Sequence, residues 1–409
     1  MLMFNMSSKN KTTNRWKALF WIALAELFAL SLWFSASAVL PQLKLEWGMN
    51  SVEGSWLTTS VQIGFIFGAI ISFLLGLADR FNPRKFVVIS CIIGAVVNAL
   101  FTLSSTIGIA LFLRFLTGVT MAGIYPTAVK LVSIWFQNRR GFSVGVLIGA
   151  LTLGSSSPHL LLLFTSNVSW KMVILISSLL ALIAAVIMQF ILPDAPMLTK
   201  KKPNLSFDSI NLVLKNKPVM LANCGYFGHM WELYAMWTWI PLFLAESFKI
   251  ALQGTNFQEI STLLSFVTIG ISGAIGSIFG GLFADKIGKE RLAMLAMIVS
   301  AVSSICIGFT FGHSIWITII IAVIWGISVI ADSAQFSAMV TDYAKPEYVG
   351  TALTFQMAVG FLITVISIYL IPVVENIIGW KWVFSILAIG PIIGILGMVL
   401  LIRTPKQLS

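Results

Sequence analysis

The sequence predicts an all-α polytopic membrane protein, with twelve transmembrane helices in two six-helix pseudo-repeats around a central cavity. Three observations carry this. Of 409 residues, 58% are hydrophobic and 10% charged, with a mean hydropathy of +0.95, too little polar surface to cover a soluble globule. Apolar runs of about twenty residues, the length of a helix across a bilayer, recur along the chain. A polar phrase is written nearly twice, GLADRFNPRK at 76–85 and GGLFADKIGKER at 280–291, with Asp79 and Asp285 separated by 206 residues.

The runs are too long for barrel strands and lack their alternation, so backbone pairing in hydrocarbon makes them helices. Breaks of charge or turn-forming residues set spans at 17–40, 54–78, 86–105, 107–131, 141–164, 170–193, 218–246, 259–284, 292–312, 314–336, 349–373 and 378–403. The N-terminus has the basic start of a secretory signal and a SASA stretch at 35–38. Its apolar run is too long and carries Glu26, so it reads as an uncleaved first helix.

The longest polar interruption, from Pro193 to Pro218, divides the chain into six-helix bundles at 1–193 and 218–409, with a cytoplasmic linker at 194–217. Within it, SFDSINLVLKN has the pattern of a short amphipathic helix. With the N-terminus in the cytoplasm, 21 of 26 Lys and Arg fall on that side, placing both termini there. The net charge of +11 then reflects topology and anionic lipid, and leaves no soluble domain for nucleic acid. Cys91, Cys224 and Cys306 lie in separate spans and suggest neither disulfide nor metal site.

The repeated phrase falls in the loop after the second span of each half. Asp79 and Asp285 stand where a helix leaves the membrane, followed by Arg80 and Lys286. A carboxylate there can pair in one conformation and lose its partner in another, so the loops read as latches; fixing topology by charge is the alternative. Asn82, at the turn of the first copy, is expected in a left-handed conformation.

Few charges lie inside the spans, where they are costly without a partner or a cavity. Glu26 and Arg114 enter the first and fourth spans at overlapping depth. They are expected to pair, either as a proton-responsive couple or as a permanent salt bridge. In YFGHMWELYAMWTW, His229 and Glu232 share a helical face among Tyr226, Trp231 and further aromatics, the makings of a substrate pocket or of simple packing. Asp332 lines the cavity from the tenth span or caps its end. No His or Cys cluster completes a metal site around His229.

The chain resembles the major facilitator superfamily over essentially its whole length. Gly281, Asp285, Lys286, Gly288 and Lys289 match its loop motif, with Glu290 in place of a basic residue before Arg291. Asp79, Arg80, Arg84 and Lys85 keep it in the first half, with Asn82 for the second Gly. RFLTGVTMAG, with Arg114 and Gly118, matches the fourth-helix pattern, and Gly145, Gly149, Gly154 and Pro158 look like its fifth-helix motif. The fourth and fifth spans look most similar to bacterial nitrate/nitrite-porter-like members. The second and eighth spans lack the arginines with which those bind anion.

The resemblance implies alternating access by two rocking halves and secondary transport of a small polar or organic solute. Protons are the expected coupling ion, a bacterial inner membrane the expected location and a monomer the functional unit. A non-transporting sensor or receptor of the same fold, or an inorganic anion porter, are the alternatives. No phosphate-binding loop or catalytic constellation is present, so neither an enzyme nor a cofactor is expected.

Overall fold

The computed structural model describes residues 2–75, 77, 81–136, 140–164, 169–192, 207–253, 257–345 and 349–404. Among these the chain is helical throughout, without strands. The elements are α1 (Leu2–Leu30), α2 (Ser35–Ala38), α3 (Leu40–Trp47), α4 (Ser51–Leu75), α5 (Pro83–Leu100), α6 (Ile107–Trp135), α7 (Arg140–Phe164) and α8 (Lys171–Val186). They continue with α9 (Phe207–Lys215), α10 (Lys217–Ala251), α11 (Phe257–Phe266), α12 (Ser272–Ile287), α13 (Lys289–Cys306), α14 (Ile315–Ala331) and α15 (Ser333–Tyr343). The last are α16 (Val349–Ile378), α17 (Trp380–Val383) and α18 (Ile389–Arg403).

Ten helical stretches among the described residues are long and apolar enough to cross a membrane. α1 and α10, 29 and 35 residues long, occupy the places of the expected first and seventh spans. Residues 194–206 of the expected linker lie outside the described residues, while α9 forms where its amphipathic pattern predicts a helix.

Helix starts are set by the same device several times. Thr106 and Ser314 cap α6 and α14, each side chain accepting from the backbone N–H three residues on, and Asn216 does the same for α10. Asn82 caps α5, accepting from Arg84 N at 2.9 Å and Lys85 N at 3.4 Å. It does so at φ −63°, ψ 120°, an extended conformation rather than the left-handed one expected from the sequence. Pro83 follows it, and the residue before a proline is driven to extended backbone. Its counterpart Gly288 does take a positive φ, +93°.

Small residues set the helix approaches, as is usual where apolar burial drives little association. A Cβ on Gly118 of α6 would stand 2.1 Å from the Val61 carbonyl oxygen of α4. A Cβ on Gly326 of α14 would stand 2.1 Å from the Thr268 carbonyl oxygen, so the same close crossing recurs in the second half.

Several spans expected as continuous are interrupted, three of them at places that matter for the site. The first breaks at Ser31–Phe34 between α1 and α2. The tenth breaks at Asp332, between α14 and α15, and runs on to Tyr343. The eighth carries a π-helical turn at Val267–Ile271, between α11 and α12. Such turns free a backbone carbonyl, and the Thr152 hydroxyl of α7 donates to Gly270 O at 3.2 Å.

Candidate functional site

The break after α1 leaves carbonyl oxygens without the amides four residues on that would satisfy them, in a region without water. Arg114 of α6 meets this need. Its Nη1 donates to Leu32 O at 3.1 Å, Ser35 Oγ at 3.2 Å and Asn98 Oδ1 at 3.1 Å. Its Nη2 donates to Trp33 O, and its Nε to Leu57 O of α4 at 3.4 Å. Five donors in a rigid fork suit this task, which a point-charge ammonium could not perform. Asn98 extends the network by donating to Ile174 O and Ser178 Oγ of α8 at 3.1 and 3.0 Å.

The expected pair of Glu26 with Arg114 is therefore not formed. Arg114 is bonded about 9 Å of helical rise beyond Glu26, at the level of Leu32. Both carboxylate oxygens of Glu26 are buried without a hydrogen-bond partner.

Glu232 of α10 is its opposite. Ser300 of α13 donates to Oε2 at 2.7 Å, and the indole Nε1 of Trp325 in α14 donates to Oε1 at 2.7 Å. The two acids are counterparts: the 206-residue offset between Asp79 and Asp285, also that between the starts of α5 and α13, carries Glu26 onto Glu232. The same offset carries Gly94 onto Ser300, so the residue at that place has no hydroxyl of its own, and the nearby Thr120 hydroxyl donates to Thr117 O rather than to Glu26. The Thr106 and Ser314 caps, and Gly118 and Gly326, differ by 208, which carries Thr117 onto Trp325. The Thr117 hydroxyl donates within its own helix, to Leu113 O at 2.9 Å.

The pocket face expected in α10 is divided between neighbours. His229 Nδ1 stands 2.8 Å from Asp332 Oδ1 at the break of the tenth span, close enough for an ion pair when the imidazole carries a proton on both nitrogens, but without the geometry of a directed hydrogen bond. Tyr226 and Phe336 flank the imidazole with ring centroids at 6.1 and 5.6 Å. Trp231 instead donates its Nε1–H to Ile386 O at 3.1 Å, tying α10 to the last span. Tyr226, His229 and Asp332 are thus brought together, whereas Trp231 and Glu232 are turned into the second half and bonded there. Among the described residues no three His, Cys, Asp or Glu stand close enough to hold a metal.

An aromatic seam that no sequence pattern announces runs across the two halves. Trp33, in the break after α1, stacks on Tyr234 of α10 at 5.8 Å and meets Phe65 of α4 at 5.2 Å. Phe65 in turn lies 4.4 Å from Phe361 of α16, which is 5.4 Å from Tyr234. All four rings are buried. Trp33 sits in the LWF run of the first span, but no spacing rule shows that it touches α10.

At the loops, Asp79 and Arg80 lie outside the described residues. Arg84 donates to Gln189 O at 2.7 Å and Leu192 O at 3.0 Å, closing the π-helical end of the sixth span. In the second copy Lys289 pairs with Asp342 of α15 at 2.5 Å, and the Tyr343 hydroxyl donates to Glu290 Oε1 at 2.6 Å. Asp285 and Lys286 have no ion-pair partner among the described residues. The ties expected of Asp285 are made instead by Lys289 and by Glu290, the residue that departs from the family motif. Gly281 is buried beside Gly280, where α12 crosses the Ala331 backbone.

Comparison with known proteins agrees with this architecture. The chain is 24% identical over 362 residues to the benzoate transport protein of Acinetobacter baylyi, covering 78% of this chain and 75% of that one. It is 21% identical over 319 residues to the 4-hydroxybenzoate transporter PcaK of Pseudomonas aeruginosa, covering 67% of each. A crystal structure of a mutant of the nucleoside transporter NupG shares the fold with a TM-score of 0.72 at 16% identity, covering 94% of this chain and all of that one. The sequence model of the Major Facilitator Superfamily matches residues 22–272 and again 224–409. Two six-helix repeats, a loop phrase in each and a match running the length of the chain make it a member of the Major Facilitator Superfamily, and a transporter rather than an enzyme.

Proposed function

We propose that this transporter moves a small organic solute through a central site between its two halves, residues 1–193 and 218–409, and draws on a proton gradient through Glu26. The observation that supports this is the difference between the two counterpart acids. Glu232 has two fixed donors, while Glu26 has none. A carboxylate without donors gains least from its charge in a low-dielectric site, so it is the one that exchanges a proton as its surroundings open and close. Arg114 acts here as the brace of the broken first span rather than as the counter-charge.

The site itself is bounded by Tyr226, His229 and Asp332 on one side and by the aromatic seam on the other. The benzoate and 4-hydroxybenzoate transporters among its relatives support a ring-bearing organic solute. Orientation follows the basic residues, with both termini on the cytoplasmic side of a bacterial inner membrane, and one chain holds a complete site.

The test is an uptake screen of ring-bearing solutes in proteoliposomes with an imposed pH gradient. Gradient-driven accumulation by the parent and its loss in Glu26→Gln is the expected result. Accumulation that persists in a well-folded Glu26→Gln protein removes Glu26 as the proton carrier. Saturable binding with no flux under any gradient would instead favour a sensor.

A further inference from the structure

Gln62 of α4 is fully buried, and neither its amide oxygen nor its amide nitrogen has a hydrogen-bond partner. Its direction follows from its neighbours one turn away. Thr58, Gln62 and Phe65 form one stripe of the helix. The Thr58 hydroxyl is bonded to Ser37 of α2 at 2.6 Å, and the Phe65 ring meets Trp33 and Phe361. Gln62 therefore faces the seam between the first span and α16, where the two halves meet. The indole Nε1 of Trp33, on the same seam, is also buried without an acceptor.

Among the described residues the cations inside the spans are engaged: Arg114 by backbone carbonyls and His229 by Asp332, and Lys130 of α6 also has a partner. An unmet amide instead offers one donor group and one acceptor on a single planar edge. Buried polar atoms left unmet in this way are costly, and are retained where a ligand completes them.

We infer that Gln62, with Trp33 Nε1, forms the recognition edge for an uncharged planar ring solute bearing adjacent donor and acceptor groups, such as a ring carboxamide, held between Trp33, Phe65, Tyr234 and Phe361. This rests on the central-site reading above. The rings are in mutual contact here, so the solute enters as the halves separate the first span from α10 and α16. Discrimination comes from the Gln62 amide, which pairs in two directions with a carboxamide. To a carboxylate it offers only its N–H donors and to an ammonium only its oxygen.

Three probes with one ring separate these classes: benzamide, benzoate and benzylamine, titrated by thermal shift and by radiolabel binding to the purified full chain at pH 7. Benzamide is expected to bind saturably and the two charged probes at least tenfold more weakly. Gln62→Met, which keeps the volume and breaks no existing bond, should weaken benzamide about tenfold without lowering the melting temperature. Gln62→Glu should shift the preference to benzylamine. Tightest binding by benzoate, binding of all three alike, binding of none, or a Gln62→Met protein with parental affinity each overturns the inference. The proposed function is judged separately, by flux: benzamide bound through Gln62 but never carried would leave the recognition edge standing and remove transport.

Discussion

The Ser300 hydroxyl donates to Glu232 at 2.7 Å, at a position whose counterpart in the first half, by the 206-residue offset, is Gly94, while the counterpart acid Glu26 has no hydrogen-bond partner. One half has completed its buried carboxylate and the other has not. Glu232→Gln should be tolerated, because the amide can turn its oxygen to Trp325, which can only donate, and its N–H to the Ser300 oxygen, which can accept. Trp325→Phe removes a donor that nothing replaces, and should cost about 1–3 kcal/mol. Thermal unfolding followed in detergent compares the two, and a Glu232→Gln protein less stable than Trp325→Phe would contradict this arrangement.

At Glu26 the expectation runs the other way. Replacing an unpartnered buried carboxylate with an apolar side chain of similar size removes a desolvated polar group, so Glu26→Leu should match or exceed the parent in melting temperature. It should also lose gradient-driven accumulation. Exchange of labelled for unlabelled solute should survive in Glu26→Gln, since exchange leaves the proton count unchanged. A marked loss of stability in Glu26→Leu would show that the carboxylate has a structural partner.

Arg114 is expected to behave as a brace. Arg114→Ala leaves the Trp33 carbonyl without its donor, at about 1–3 kcal/mol, and takes from Leu32 O, Ser35 and Asn98 a partner that ties three helices together, so it should express poorly or melt early. Arg114→Lys keeps the charge but not the fork, and should recover only part of the loss. The exchanged pair Glu26→Arg, Arg114→Glu should fold no better than Arg114→Ala, because the contacts of Arg114 are to backbone rather than to Glu26. Recovery of folding by that exchange, measured by monodispersity in size-exclusion chromatography, would restore the salt-bridge reading.

Close backbone crossings give a steric prediction. Gly118→Ala and Gly326→Ala each place a methyl 2.1 Å from a carbonyl oxygen of the neighbouring helix, and each should cost about 3 kcal/mol by forcing the helices apart. Gly108→Ala, with open space around it, is the matched control and should gain slightly from helix propensity. Equal melting temperatures for Gly118→Ala and Gly108→Ala would show that α4 and α6 are less tightly packed than described.

At the loop of the second repeat, the exposed Lys289–Asp342 pair should contribute under about 1 kcal/mol, so Asp342→Asn should barely change stability. Its effect is expected on conformational balance instead. Single-cysteine accessibility on the two membrane faces should shift in Asp342→Asn and Tyr343→Phe more than in Asp285→Asn. The reverse order would return the latch to Asp285.

Much of the fold was legible because membrane helices announce themselves. Apolar runs fixed the spans to within a few residues, and the duplicated phrase showed the division into halves. The interruptions were not legible. SLWFS reads as a continuation of the first span because its apolar residues hide the break, and what stabilises that break is Arg114, eighty positions away. The same distance effect divided the candidate site. His229, Trp231 and Glu232 are neighbours in sequence, yet each answers to a different helix, and the residues that decide this, Asp332, Ile386, Ser300 and Trp325, have no periodic relation to them. Asn82 shows a local rule overriding another, since Pro83 forced extended backbone where an asparagine alone would have accepted a left-handed turn.

The slip of the internal offset from 206 to 208 lies between the third and fourth helices of each repeat, around the turn at Gly312, whose φ is +72°. The two copies thus differ in length by two residues at a turn, a place where a change of length rotates no membrane helix on its axis. Across that slip the repeats keep an acid at matching places but not its surroundings: one copy surrounds it with two donors, and the other leaves both of its oxygens without one.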